Sequence, residues 1–279
     1  MPAIKSMKES SRLLLEWMRL NIRRSEEVCE LAEPLLLNIP KCFGNKVWLI
    51  YEYVYIAAID CNHQRLIKIC WEELNKKFSN SSRVLILKGF KFEMFGEYEE
   101  AIQLYDQVLK DDESNERALK RKIAIYKAQG NNCKAVEGLV EYLDTYQTDY
   151  EAWLQLAQLY IQQLRFDFAA FCLEEVIAGA PYYDGYFVYY GEILYAQTRT
   201  NEYTGKAEEK LILAKKYFLK ALEMNPSNLR ALYGVLMVVA NLNSLGICTE
   251  GMQDFVKHKF SAVYQKSELL PYLSGLLSF

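Results

Sequence analysis

The sequence holds only 2 histidines, 6 prolines and 13 glycines in 279 residues, and each shortage excludes something. His63 and His258 are far apart, and neither has a cysteine or histidine at ligand spacing, so no zinc site is expected. Glycine and proline collect at a few points, and half of the chain is apolar, which argues against a disordered polypeptide. The seven cysteines (Cys29, Cys42, Cys61, Cys70, Cys133, Cys172 and Cys248) make an odd set without a CxxC pair. They read as reduced, packed thiols rather than a disulfide or metal framework. A strongly basic balance is also missing: the net charge is -3, which gives no support to a nucleic-acid partner. No G-x-S-x-G elbow, P-loop, G-x-G-x-x-G or H-E-x-x-H occurs, and the acidic run at Asp111, Asp112 and Glu113 fits a solvated turn. The expectation is a chain that is not an enzyme, with no catalytic residue, no metal ligand and no cofactor.

Long uninterrupted apolar runs are lacking as well. Residues Ala231 to Thr249 contain no charge, but Asn241, Asn243, Ser244 and Gly246 break the second half, so a packed helix is expected there rather than a membrane span. Near the start, Leu13, Leu14, Leu15, Trp17 and Met18 alternate with Arg12, Glu16 and Arg19. That interruption argues against a secretory leader. Two readings of this basic amphipathic stretch stand, contact with an anionic membrane surface or a helix closing the start of the fold.

What is present is a period. Trp153, Leu156, Ala157 and Tyr160 spell W-x2-L-A-x2-Y; Ala169, Leu173 and Val176 follow, and Pro181 closes the unit. Trp153, Leu156 and Tyr160 recur at i, i+3 and i+7, one apolar face of a helix. The small Ala157 and Ala169 suit the closest approach of two helices, whose separation depends on side-chain size at the contact. Steps of 34 back from Ala169 reach Ala135 and Ala101. Gly89, Phe92, Tyr105 and Val108 fill the same slots around Ala101, and Tyr126, Gly130, Leu139 and Tyr142 fill them around Ala135. Forward, Ala214, Phe218, Ala221 and Pro226 repeat the second half, displaced by eleven places, so an insertion is expected near 196–209. Trp48 to Ser81 reads as a degenerate copy, and Leu229 opens a further one.

A 34-residue helix–turn–helix period with these slots is the tetratricopeptide pattern, and one such hairpin cannot bury its apolar face without neighbours. The chain is therefore identified as a tetratricopeptide-repeat protein. The expected fold is all-α, a right-handed solenoid of antiparallel helix pairs over 1–279, with an N-terminal helical cap at 1–45, repeats over 48–266 and an apolar tail at 267–279. Within that class, four runs resemble the family of subunit 2 of the endoplasmic-reticulum membrane protein complex: residues 101–109, 120–130, 151–160 and 169–175. The opening, with a helical pair followed by Trp48 to Glu52, is similar too.

The resemblance implies a non-catalytic cytosolic scaffold, peripheral on the cytoplasmic face of the endoplasmic reticulum membrane. Its implied partners are the other subunits of that complex, an insertase for tail-anchored and multipass proteins, with membrane contact made indirectly through them. It also implies a concave groove lined by the second, fifth, ninth and twelfth places of each first helix. Here those places hold Leu49, Glu52, Ile56 and Ile59, then Arg83, Ile86, Phe90 and Glu93, then Arg117, Lys120, Ala124 and Lys127. They continue with Glu151, Leu154, Gln158 and Ile161, and end on Val188, Glu192 and Tyr195. Arg117, Lys120 and Lys127 among apolar Ile86, Phe90, Leu154 and Ile161 are either a solvated basic face or a seat for a partner helix or tail with apolar anchors and an acidic patch. A co-chaperone or adaptor gripping a C-terminal carboxylate is the alternative. It would need a Lys and Asn clamp at the fifth and ninth places, where Ile86 and Phe90, Lys120 and Ala124, and Leu154 and Gln158 stand instead. Tyr186, Tyr189 and Tyr195 are further contact candidates, and Phe187 and Tyr190 fall in packing slots.

Overall fold

The computed structural model describes residues 2–199, 207–247, 249 and 251–263. Helices account for nearly all of them, and no strand occurs among the described residues. Two compact units divide the chain at Asn131 and Asn132. The first contains α1 (Pro2–Arg19), α2 (Ser25–Asn38), a short 3-10 helix (Pro40–Lys46), α3 (Val47–Asp60), α4 (Gln64–Phe78), α5 (Ser82–Met94), α6 (Tyr98–Asp111) and α7 (Glu116–Ala128). The second contains α8 (Asn132–Thr145), α9 (Tyr150–Gln162), α10 (Phe166–Gly179), α11 (Asp184–Gln197), α12 (Ala207–Met224), α13 (Leu229–Ser244) and α14 (Met252–Val263).

In the first unit α3 packs on α4, α5 on α6, and α7 against both α5 and α6. In the second the pairs are α9 with α10, α11 with α12, and α13 with α14, while α8 packs on α9. The alanines that set the period are all fully buried: Ala101, Ala135, Ala169 and Ala214. Their large partners four residues on, Tyr105, Leu139, Leu173 and Phe218, are buried with them, so the repeating small–large pairing is the core itself. Helix starts are fixed locally. Asn115, Asp149 and Asn228 each accept a hydrogen bond from the backbone N–H three residues on, at 3.2, 3.1 and 3.0 Å.

Helix ends follow one device. At Asn62, Gly96, Gly130 and Leu164, spaced by the repeat, the backbone turns left-handed, with φ of 54°, 79°, 70° and 59°. After α9, the Leu164 N–H donates to Ile161 O and the Arg165 N–H to Tyr160 O, both at 2.9 Å. This is the paired bond set that closes a helix through a left-handed residue. The same pair occurs after α5, where Gly96 bonds Glu93 O and Glu97 bonds Phe92 O, at 3.0 and 2.9 Å.

Helix α1 packs on α2 and α3, with Leu14 and Trp17 in the core, so its apolar stripe is spent on the fold. Six described cysteines are free thiols. Cys29, Cys70 and Cys172 are packed as expected, but Cys42 and Cys133 are exposed, because one sits in the short 3-10 helix and the other on the outer side of the first turn of α8. Desolvation is the chief reason that the Cys70 and Cys172 thiols are pushed up to about 12, which keeps them protonated and inert. Of the expected insertion, α11 and α12 supply the flanks and 200–206 lie outside the described residues, as do Cys248 and the tail at 267–279.

Candidate partner-binding site

The first unit holds an open pocket of about 520 Å³. Its floor is apolar: Ile56 on α3, with Ile86, Leu87 and Phe90 on α5. Arg117, Lys120 and Arg121 from one face of α7 reach its rim, and Arg23 and Arg24 enter from the α1–α2 connection. Asp60 is the carboxylate among these cations. Arg23 holds it from two sides, Nε to Oδ2 at 2.9 Å and Nη2 to Oδ1 at 2.7 Å, and the Ser25 hydroxyl donates to Oδ2 at 2.7 Å. The Arg23 hydrogen bond is the main reason that Asp60 titrates below the usual carboxylate range. The connection is anchored again where the Tyr53 hydroxyl donates to Ile22 O at 2.5 Å.

Arg121 is the best-fixed cation. Its guanidinium lies 4.5 Å from the Phe90 ring centroid, a cation–π contact, and pairs through two nitrogens with Glu93. The buried Tyr105 hydroxyl donates to the same carboxylate. Burial disfavours the Arg121 cation, but the Glu93 hydrogen bond and charge outweigh it and leave the pKa raised. For Tyr105, desolvation first and the Glu93 hydrogen bond second push the phenol up, so it stays a donor. A planar, doubly paired guanidinium laid on an aromatic ring is a rigid cationic wall beside an apolar floor. Glu93 already meets the Arg121 charge, so Arg117 and Lys120 are the exposed cations that α7 brings to the rim.

Of the residues expected in the groove, the pocket brings together Ile56, Ile86, Phe90, Arg117 and Lys120. Ile86 is largely buried and contributes floor rather than reach. Glu93 lies behind the wall as the Arg121 partner, Arg83 pairs with Glu52 at 2.5 Å, and Lys120 also meets Glu116 at 2.8 Å. Lys127 is exposed on α7 but does not line the pocket. In the second unit Gln158 is exposed, and Leu154 and Ile161 are half-buried on α9. Val188 is 1% exposed and therefore presents nothing to a partner. Its neighbour Glu192 is held by Arg230 through two bonds of 2.5 Å, and Tyr195 accepts a hydrogen bond from Asn241 at 3.0 Å. Sequence periodicity alone misses Arg121, Arg23 and Asp60, because their place depends on which helix faces them across the stack.

Comparison with known proteins agrees with this architecture. Residues 66–209 match the family model described as the EMC2 TPR-like repeat domain, and 203–228 match a tetratricopeptide repeat. The ER membrane protein complex subunit 2 of Xenopus tropicalis is 42% identical over 228 residues, 82% of this chain and 74% of that protein. The subunit 2 of Dictyostelium discoideum is 34% identical over 214 residues, 72% of this chain and 62% of that one. Among solved structures, the C-terminal part of a tetratricopeptide-repeat protein from Cytophaga hutchinsonii superposes with a TM-score of 0.61 at 15% identity, over 93% of this chain and 97% of that one, which speaks for the fold alone. The chain belongs to the ER membrane protein complex subunit 2 family of tetratricopeptide-repeat proteins.

Proposed function

We propose that this protein is a non-catalytic scaffold within an endoplasmic-reticulum membrane protein complex, working on the cytoplasmic face of that membrane in the insertion of tail-anchored and multipass proteins. The observation that carries the reading is the 42% identity to a subunit of that complex over most of both chains. Two structural features support it. No helix among the described residues is long and apolar enough to cross a membrane, so attachment through partners is the economical route. The cationic wall and apolar floor of the first unit suit the cytosolic end of a partner subunit with apolar anchors and an acidic patch, where charge fixes register and speeds association. The arrangement of a cap at 1–45, repeats over 48–266 and a tail at 267–279 belongs to the same reading.

The test is affinity capture of the tagged full chain from digitonin-solubilised membranes, with mass spectrometry of what comes with it. Recovery of several membrane-spanning endoplasmic-reticulum proteins in constant ratio is the expected result, together with release of the chain from membranes at alkaline pH. Capture of cytosolic chaperones without any membrane-spanning protein, or retention after alkaline extraction, would overturn the reading.

A further inference from the structure

A second groove, in the second unit, has the opposite electrical character from the first. It opens between α8 and α10, over α9, with a volume of about 440 Å³. Helix α10 is apolar on two faces. Ala169, Leu173 and Val176 enter the core, while Phe168, Phe171, Cys172 and Glu175 recur at i, i+3, i+4 and i+7 along the groove. Phe168 and Phe171 are 40% and 53% exposed, and Val140 across the groove on α8 is 41% exposed. These rings are held in place. Phe171 meets Trp153 edge-on with centroids 5.9 Å apart, Trp153 donates its indole N–H to Gln147 O at 2.9 Å, and Phe168 lies 5.2 Å from Tyr160.

The charge around this floor is negative. Asp144 on α8 and Glu175 on α10 line the groove from both sides, and no cation is in its lining among the described residues. Exposed Glu137 and Glu141 continue the acidic stripe along α8 with Lys134 as the cation at its N-terminal end, whereas Glu174 on α10 is turned away from the groove and accepts a hydrogen bond from the Tyr190 hydroxyl on α11. Arg165 is the neighbouring cation, 3.9 Å from the Phe168 ring centroid and 5.7 Å from that of Tyr160, and caps the groove at the end where those two rings lie. A groove with an aromatic floor and carboxylates on both walls is complementary to one kind of surface, an apolar ridge flanked by lysine or arginine.

We propose that the α8–α10 groove is a docking site for a cationic amphipathic helix of a partner protein, whose large apolar side chains seat on Val140, Phe168 and Phe171 while its basic residues meet Asp144 and Glu175. This site is independent of the cationic pocket of the first unit and of the reading built on it. The α-helical form follows from the groove's two helical walls, since an amphipathic helix presents its i, i+3, i+4 and i+7 side chains to such a seat.

The test uses the full chain and a fluorescein-labelled synthetic peptide, LKKLLKLLKKLLKL, with its counterpart in which every Lys is Glu, read by fluorescence anisotropy. The Lys peptide is expected to bind at least about tenfold more tightly than the Glu peptide, a difference of about 1.4 kcal/mol. Asp144→Lys with Glu175→Lys, and separately Val140→Ala with Phe171→Ala, should each weaken it by about tenfold or more while circular dichroism stays that of the parent. The exposed carboxylates of the first variant leave the melting temperature unchanged, and the second loses only the Phe171 edge contact with Trp153 and half-buried surface, so it melts slightly lower but still cooperatively. Equal binding of both peptides, undiminished binding by both variants, or no binding at roughly 200 μM protein would overturn the proposal. A concentration-dependent dimer that the Lys peptide displaces would assign the groove to a second copy of the chain and overturn it equally.

Discussion

Replacing Leu164 by glycine should stabilise the protein, although it deletes a large apolar side chain. Leu164 sits at φ 59° in the turn after α9, where Gly96 and Gly130 stand at the equivalent turns after α5 and α7. An L-residue with a Cβ costs about 1–2 kcal/mol in the left-handed region, because the Cβ crowds the following carbonyl. Glycine escapes that cost but brings a more mobile unfolded chain, which takes back about 0.5–1 kcal/mol. The leucine side chain is 72% exposed and so repays little by packing. The balance favours Leu164→Gly by about 0.5–1 kcal/mol, and the two hydrogen bonds that close α9 survive because both come from the backbone. The reciprocal change, Gly130→Ala at φ 70°, should cost about 1 kcal/mol, since no atom lies near the added methyl and only the backbone resists it. Urea unfolding followed by circular dichroism reads both midpoints, and opposite shifts of the pair are expected. If Leu164→Gly lowers the midpoint, or Gly130→Ala leaves it unmoved, then backbone handedness does not govern these turns.

Three further outcomes follow from the packing and the charges. A methyl group built on Gly89 would lie 2.5 Å from Cε1 of Tyr105, a buried ring whose hydroxyl holds Glu93, so Gly89→Ala should destabilise by about 1–2 kcal/mol despite alanine's better helix propensity; Tyr105→Leu in the same chain should remove most of that cost in a double-mutant cycle. Ala157→Leu and Ala169→Leu, each forced into a fully buried contact within the α9–α10 pair, should each lower the unfolding midpoint by an amount worth about 1–3 kcal/mol, and unchanged thermal unfolding in both would show the repeat frame to be misplaced. Because Asp60 titrates below the usual carboxylate range, its pairing with Arg23 adds stability that is complete above the unfolded carboxylate pKa of about 3.9 and is lost as pH falls towards the folded value. Asp60→Asn should therefore melt lower than the parent at pH 7 and converge with it as the pH falls below about 4; a constant difference across that range would contradict the linkage.

The period was legible because it is written in residues whose role is steric. Ala101, Ala135, Ala169 and Ala214 must be small where helices touch, whereas the caps Asp149 and Asn228 that start α9 and α13 come from the structure. The groove was legible in part. Places counted along one helix identify Ile86 and Phe90 on α5 and Arg117 and Lys120 on α7, which do line one pocket. The same counting selects Val188, which the packing of α11 buries, and overlooks Arg121, one place beyond Lys120. Arg121 matters because Phe90 and Glu93 on a different helix receive it, and no count along α7 contains that fact. Asp60 and Arg23 lie 37 residues apart and meet only after α1, α2 and α3 have packed. The second apolar face of α10 escaped for a related reason: Phe168 and Phe171 look like core residues in a helix that already has one.

The most direct test of the scaffold reading is quantitative capture with the first-unit pocket reversed in charge. Arg117→Glu with Lys120→Glu alters two exposed side chains at the pocket rim and leaves the Arg121, Glu93 and Tyr105 network in place. Tagged parent and variant would be captured from solubilised membranes at low and physiological salt, with melting temperatures measured on both. Loss of at least one membrane-spanning partner from the variant, at an unchanged melting temperature and with a larger deficit at low salt, is the predicted result. Full recovery of every partner by the variant at both salt concentrations would contradict the claim that this pocket holds a partner in the complex.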